Sequence, residues 1–216
     1  MVKKVLLTGF DPFGDDKINP ALEAVKQLEG KILSGGLEII TQEVPTVFHE
    51  SIDAVKKAID THKPDVVICV GQAGGRTQIT MERVAINVDD ARIPDNRQKQ
   101  PIDEQIVEDG PVAYWSTLPI KRIVRDMREA AIPAAVSNTA GTFVCNHLFY
   151  GLMNYLATEA PKIRGGFIHI PFIPVQTADK DAPSLSLETI VRGLEIAAVT
   201  AANEKEDIRE IGGAIH

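Results

Sequence analysis

The chain has 216 residues, a formal net charge of −7 and an ordinary globular balance, 44% hydrophobic and 25% charged. That length buries a sizeable core without disulfides or metals. The negative balance, with no dense Lys/Arg cluster, argues against a nucleic-acid partner. Its two cysteines, Cys69 and Cys145, make no disulfide framework. The N-terminal apolar run is too short for a signal peptide, which predicts a cytoplasmic protein. Residues 130–158 lack Asp, Glu, Lys and Arg, yet they contain Asn138, Asn146, His147 and Asn154, all costly in lipid. A buried strand followed by a buried helix accounts for them, and no membrane contact is expected.

In chain order, residues 2–7 read as a strand that ends in a Thr8-Gly9 turn. Asn19-Pro20 opens a helix to about residue 28, with Asn as cap and Pro at the first helical position. Gly35-Gly36 breaks the chain before a strand over 37–44. Residues 48–61 have helical spacing, with Ile52, Val55 and Ile59 on one face. Residues 65–70 (DVVICV) form a continuous apolar run, the mark of a strand buried on both faces. After a glycine-rich segment, 71–78, residues 80–88 read as one strand and 89–110 as a long charged excursion. A helix over 120–131, a strand over 134–137, a helix over 144–158, a strand over 166–170 and a helix over 186–203 complete the pattern. The charged tail continues that last helix or frays. This alternation predicts an α/β fold of one domain, residues 1–216, with a mainly parallel sheet and helices on both faces. Ligands of such folds bind beyond the carboxyl ends of the strands. The segments expected there are 9–14, 71–76, 138–145 and the region after His169.

Cys145 begins a long helix, where unpaired N–H groups and the dipole favour thiolate and can hold an oxyanion. A buried, inert thiol is the competing reading. Cys69, inside its apolar strand, reads as a core thiol. His169, at the end of a strand and before Pro171, suits a general base or a satisfied core histidine. His49, His62, His147 and His216 are weaker candidates. Glu82 shares a strand face with Val84 and Ile86 by alternation. It is either a buried carboxylate orienting an imidazole or half of a salt bridge to Arg83 or Arg76. No P-loop, G-x-G-x-x-G or G-x-S-x-G motif occurs. Cys145-Asn-His147 lacks the further ligands that zinc needs, so no metal is predicted.

Residues 6–14 (LLTGFDPFG) with Asn19-Pro20, 82–87 (ERVAIN) with 90–96 (DARIPDN), 141–146 (GTFVCN) and 169–171 (HIP) together closely resemble type I pyroglutamyl peptidases. The resemblance spans nearly the whole chain in the same order, and residues 183–195 are similar to the family's closing helix. It implies a three-layer α/β/α sandwich, a Cys145–His169–Glu82 triad and removal of N-terminal pyroglutamate from peptides. It also implies a homotetramer with no metal or organic cofactor. Phe143 stands where the family pattern has Tyr, which keeps the ring. By the same resemblance Arg92 lies near the oxyanion, and Gln72, Ile93, Phe143 and Val144 line the pocket with Asn19 and Thr46. Phe10 and Phe13 are the candidates to enclose the lactam faces, against ordinary core packing. Two other readings stand beside this one: a nucleoside-phosphorylase-like enzyme holding phosphate on residues 71–76, and a catalytically silent binding protein.

Overall fold

The computed structural model describes residues 2–14 and 16–213. Met1, Asp15 and residues 214–216, His216 among them, lie outside the described residues. The chain runs β1 (Lys4–Phe10), α1 (Pro20–Lys26), β2 (Ile32–Leu33), β3 (Leu37–Val44), α2 (Glu50–His62) and β4 (Val66–Gln72). It continues through β5 (Ile79–Glu82), β6 (Val84–Ile86), β7 (Ala113–Trp115), α3 (Ile120–Glu129) and β8 (Ala134–Ser137). α4 (Val144–Thr158), β9 (Arg164–Ile170), a 3-10 turn (Pro174–Gln176) and α5 (Leu187–Asn203) close it.

Seven strands form one sheet in the order β2-β3-β1-β4-β9-β5-β8. The pairs β3-β1, β1-β4, β4-β9 and β5-β8 are parallel, while β5 runs antiparallel to β9 and β2 to β3. The sheet is therefore mixed and mainly parallel. Alternation along the strands feeds two cores. Val5, Leu7, Val66, Ile68 and Val70 pack with α1, α3 and α5, whereas Leu6, Val67 and Cys69 pack with α2 and α4. This is the expected three-layer arrangement. The helix starts follow local chemistry: Asn19 Oδ1 accepts from Ala21 N at 3.1 Å, and Ser186 Oγ accepts from Thr189 N at 3.1 Å.

Three features depart from the sequence reading. The expected strand over 80–88 divides at Arg83, whose N–H donates to Ser137 O on β8 while its C=O accepts from Ser116 N beside β7. One residue thus serves two sheets, and β6 leaves to pair with β7. The strands β2 and β7 were not expected; they are two and three residues long, too short to show a period. The tail neither extends α5 nor ends there. It folds back so that Asp207 accepts from Lys121 N (3.1 Å) and Arg122 N (2.9 Å), capping α3 from 85 residues or more away. Among the described residues no helix is long and apolar enough to cross a membrane.

Candidate active site

The antiparallel pairing of β5 with β9 sets Thr80 opposite His169. Ile79 and Met81, with Ile168 and Ile170, point into the α1/α3/α5 core. Alternation therefore sends Thr80, Glu82 and His169 to the opposite face, the α2/α4 side. Glu82 is fully buried and His169 is 3% exposed. His169 Nδ1 lies 2.8 Å from Glu82 Oε1. A carboxylate only accepts, so Nδ1 carries a proton, and in the neutral ring this leaves the lone pair on Nε2. Arg76 Nη1 donates to the same oxygen at 2.6 Å and also bonds Thr80 Oγ1, while Nη2 donates to Thr139 O at 3.2 Å. Burial pushes the Glu82 carboxyl up. The hydrogen bond and charge of His169, then the charge of Arg76, outweigh it and hold the group below its ordinary value. Both readings of Glu82 made from the sequence are present at once, as partner of an imidazole and as half of a salt bridge to Arg76. Its burial comes from the β9 pairing and not from a face shared with Val84 and Ile86.

Cys145 is the second residue of α4, whose N-terminus no side chain caps. Its first-turn N–H groups are therefore available to an anion. A Cβ on Gly71 would sit 3.0 Å from Cys145 Sγ and 2.9 Å from Phe167 Cζ, so β4 approaches the sulfur with bare backbone. The helix terminus alone predicts an easily ionised thiol. Burial, reinforced by the Glu82 charge and only partly opposed by Arg76, acts the other way and pushes the Cys145 thiol up to about 12. Cys69 is fully buried and is likewise pushed up to about 12 by burial, as a core thiol should be.

Cys145 and His169 line one cavity of about 610 Å³, with Phe13, Gln72, Arg92, Ile93 and Phe143 on its walls. The Phe13 and Phe143 rings stand 6.2 Å apart. The long excursion forms part of this wall because polar side chains pin it. Asp95 Oδ2 accepts from Phe48 N at 3.0 Å, and Asn96 Nδ2 donates to Pro12 O at 2.9 Å. Asp90 N donates to Thr142 O, and Asn146 Nδ2 donates to Ile86 O and Val88 O. Several of the motif residues read from the sequence are thus the fasteners of the cavity.

Comparison with known proteins matches this arrangement. The family model described as pyroglutamyl peptidase covers residues 3–204. A pyrrolidone-carboxylate peptidase from Bacillus licheniformis is 64% identical over the full length of both chains, and one from Bacillus subtilis is 61% identical. The crystal structure of pyroglutamyl peptidase I from Bacillus amyloliquefaciens superposes with a TM-score of 0.96 at 60% identity, covering 98% of this chain and all of that one. A pyrrolidone carboxyl peptidase from Thermococcus litoralis gives 0.91 at 36% identity, covering 97% and 99%. The chain belongs to the pyroglutamyl peptidase family.

Four other residues named for the pocket, Phe10, Val144, Asn19 and Thr46, are buried. Phe10, 2% exposed, packs on Phe167 with centroids 6.3 Å apart. Val144 is fully buried under the same helix. Asn19 caps α1 and donates to Asp11 O at 3.1 Å. Thr46 N donates to Asp11 Oδ1 at 2.7 Å, and Thr46 Oγ1 donates to Asp11 O at 3.1 Å. The aromatic rings on the cavity wall include Phe13 and Phe143.

Arg76 was read only as a salt-bridge partner or a phosphate holder. The structure commits its guanidinium to Glu82, Thr80 and Thr139, and Gly74 is covered by Phe172, whose ring a Cβ would meet at 2.2 Å. That loop is occupied by its own contacts, which removes the phosphate reading. His147 turns away from Cys145: Nδ1 lies 2.7 Å from Asp89 Oδ2, and Nε2 accepts from His49 N at 2.8 Å. This fixes a neutral tautomer and holds His49 at φ 66 and ψ −49, the centre of a strained γ-turn closed by Glu50 N to Phe48 O at 2.9 Å.

Proposed function

We propose that this chain is a cysteine exopeptidase of the pyroglutamyl peptidase I type, releasing N-terminal pyroglutamate from peptides, with Cys145 as nucleophile, His169 as proton carrier and Glu82 as its orienting group. The observation that carries the residue roles is the His169 Nδ1 to Glu82 Oε1 contact of 2.8 Å beside a helix-terminal cysteine in one cavity.

A thiol pushed up to about 12 decides how it is activated. Attack therefore couples to proton transfer: His169 Nε2 takes the thiol proton as Cys145 Sγ bonds the carbonyl carbon joining pyroglutamate to the next residue. Glu82 offsets the imidazolium charge. The uncapped N–H groups of the α4 first turn, with Arg92 on the cavity wall, receive the oxyanion. His169 then gives its proton to the leaving amine. It next deprotonates water, which hydrolyses the thioester and restores the thiol. The lactam substrate has no α-ammonium, so the site requires no acidic anchor for an N-terminus.

The chain acts as one catalytic unit in the cytoplasm and as a homotetramer. Family resemblance supports the assembly, and so do apolar side chains left exposed on β7 and its approach, Val112 at 88% and Trp115 at 69%. Sedimentation of the purified protein tests the assembly. A pyroglutamyl fluorogenic amide tests the activity: it should be cleaved, and its prolyl counterpart should not. Loss of cleavage in Cys145→Ala with retention in Cys69→Ala supports the nucleophile; equal loss in both would undo it.

A further inference from the structure

Glu82 gives one carboxylate oxygen to two donors: Oε1 receives His169 Nδ1 at 2.8 Å and Arg76 Nη1 at 2.6 Å. Oε2 is buried too, and among the described residues no hydrogen bond ends on it. A buried carboxylate oxygen without a donor is costly, so a neighbour able to supply one matters to the site. The register of β5 with β8 sets Ser137 directly opposite Glu82. Ala134 and Val136, on the same strand, point into the α1/α3/α5 core. Alternation therefore sends the Ser137 side chain to the face that carries Glu82. Neighbouring strands run about 5 Å apart, which puts a serine hydroxyl within reach of the opposing carboxylate.

The Ser137 hydroxyl has one hydrogen and a choice of two acceptors. Its Oγ donates to Thr139 O at 3.0 Å and accepts from Thr139 N at 3.3 Å. Thr139 O also receives Arg76 Nη2 at 3.2 Å, so it keeps a donor when the hydroxyl turns away. An ionised oxygen is the stronger acceptor of the two. The groups that face Glu82 are His169 on β9, Arg76 in the loop before β5, Cys145 on α4 and Ser137 on β8. Burial pushes the carboxyl up, and the Ser137 hydroxyl joins His169 and Arg76 in holding it down. We propose that Ser137 is a positioning residue for the triad: its hydroxyl turns from Thr139 O to Glu82 Oε2 and so holds the carboxylate with Oε1 aimed at His169. The proposal rests on the cysteine peptidase reading and adds a member to that site. The imidazolium forms when His169 takes the thiol proton, and the charge of Glu82 is needed most at that moment.

Ser137 is half-buried, a position that tolerates substitution. Ser137→Thr keeps the hydroxyl. Ser137→Val has the shape of Thr without it, and Ser137→Ala removes it with less bulk. For wild type and the three variants, kcat and KM on a pyroglutamyl fluorogenic amide are read across pH, together with Tm. In the Val and Ala variants kcat should fall roughly tenfold, the loss of one hydrogen bond to a charged group, while KM stays within about twofold. The acid limb of kcat/KM should begin at higher pH in both, because a carboxyl that has lost a donor is protonated sooner. Ser137→Thr should stay within about threefold of wild type and keep its acid limb. Acid limbs of the hydroxyl-free variants that superimpose on wild type overturn the proposal, since a serine that only supports the fold lowers Tm without moving the limb. A Thr variant as impaired as the Val variant overturns it as well. Either hydroxyl-free variant suffices if the other fails to fold. Iodoacetamide alkylation of Cys145 across pH gives the same comparison without substrate. A wild type inert on the amide ends the peptidase reading. The alkylation limbs of wild type and Ser137→Val then decide the role of Ser137 by themselves: a limb displaced to higher pH supports it, and coincident limbs overturn it.

Discussion

Arg76 sets Nη1 2.6 Å from Glu82 Oε1, the same oxygen that receives His169 Nδ1. The cation is thus a fourth member of the charge system. Glu82 is held below its ordinary value, so it stabilises the folded state above the unfolded carboxyl value of 4.5, and that stability is lost as pH falls through the folded value. Arg76→Met removes one of the opposing charges, and the Glu82 carboxyl should climb. The acid-side loss of kcat/KM and of Tm should then both begin at higher pH than in wild type. Matched pH profiles of the two proteins check this, and superimposable acid limbs would show that Arg76 does not act through Glu82.

The proposed mechanism assigns the ionisation of Cys145 to His169, because burial pushes the thiol up to about 12. His169→Ala should slow iodoacetamide labelling of Cys145 at neutral pH by at least about tenfold. Cys69, fully buried, should stay unlabelled in both proteins. Peptide mapping after timed alkylation measures the two sites separately, and an unaltered Cys145 rate would mean that the imidazole does not reach the sulfur.

Gly71 is required by contact rather than by conformation. A methyl there would meet Phe167 Cζ at 2.9 Å and Cys145 Sγ at 3.0 Å. Gly71→Ala should destabilise the fold by roughly 1–3 kcal/mol through overpacking. It should also lower kcat more than it raises KM, since the displaced atom is the proposed nucleophile. Thermal melts with steady-state kinetics test this; an active, equally stable variant would show that the strand has room.

The positions that the sequence revealed are those whose chemistry is local or whose motif is dense. Asn19-Pro20 caps a helix within two residues, and residues 65–70 announce a strand buried on both faces. Cys145 was legible as a helix-terminal thiol, but not the upward push on that thiol from burial and from the charge of Glu82, 63 residues earlier. Glu82 was placed correctly for the wrong reason, because the division at Arg83 exists only once β8 and β7 are in position to bond its two backbone groups. Arg76 was legible as a salt-bridge partner of Glu82, but not its sharing of one carboxylate oxygen with His169, which depends on sheet order. The resemblance named Phe10, yet only the packed sheet shows that Phe167 covers it and that Phe143 faces Phe13.

Asp207 offers a test of the tail that sequence reading left undecided. Its two carboxylate oxygens take the N–H groups of Lys121 and Arg122. Asp207→Ala should cost about 0.5–2 kcal/mol, the usual loss of a helix cap, while kcat/KM on a pyroglutamyl amide stays within about twofold. Denaturant melts and one kinetic assay decide it, and an unchanged midpoint would show that the cap contributes nothing.

The account turns on a covalent intermediate at Cys145. Acid-quenching the protein during turnover of a pyroglutamyl amide and mapping it by mass spectrometry tests that directly. The predicted result is a pyroglutamyl thioester on the peptide carrying Cys145, absent from the peptide carrying Cys69. Undiminished turnover in Cys145→Ala, or an acyl group mapped to any other residue, would contradict it.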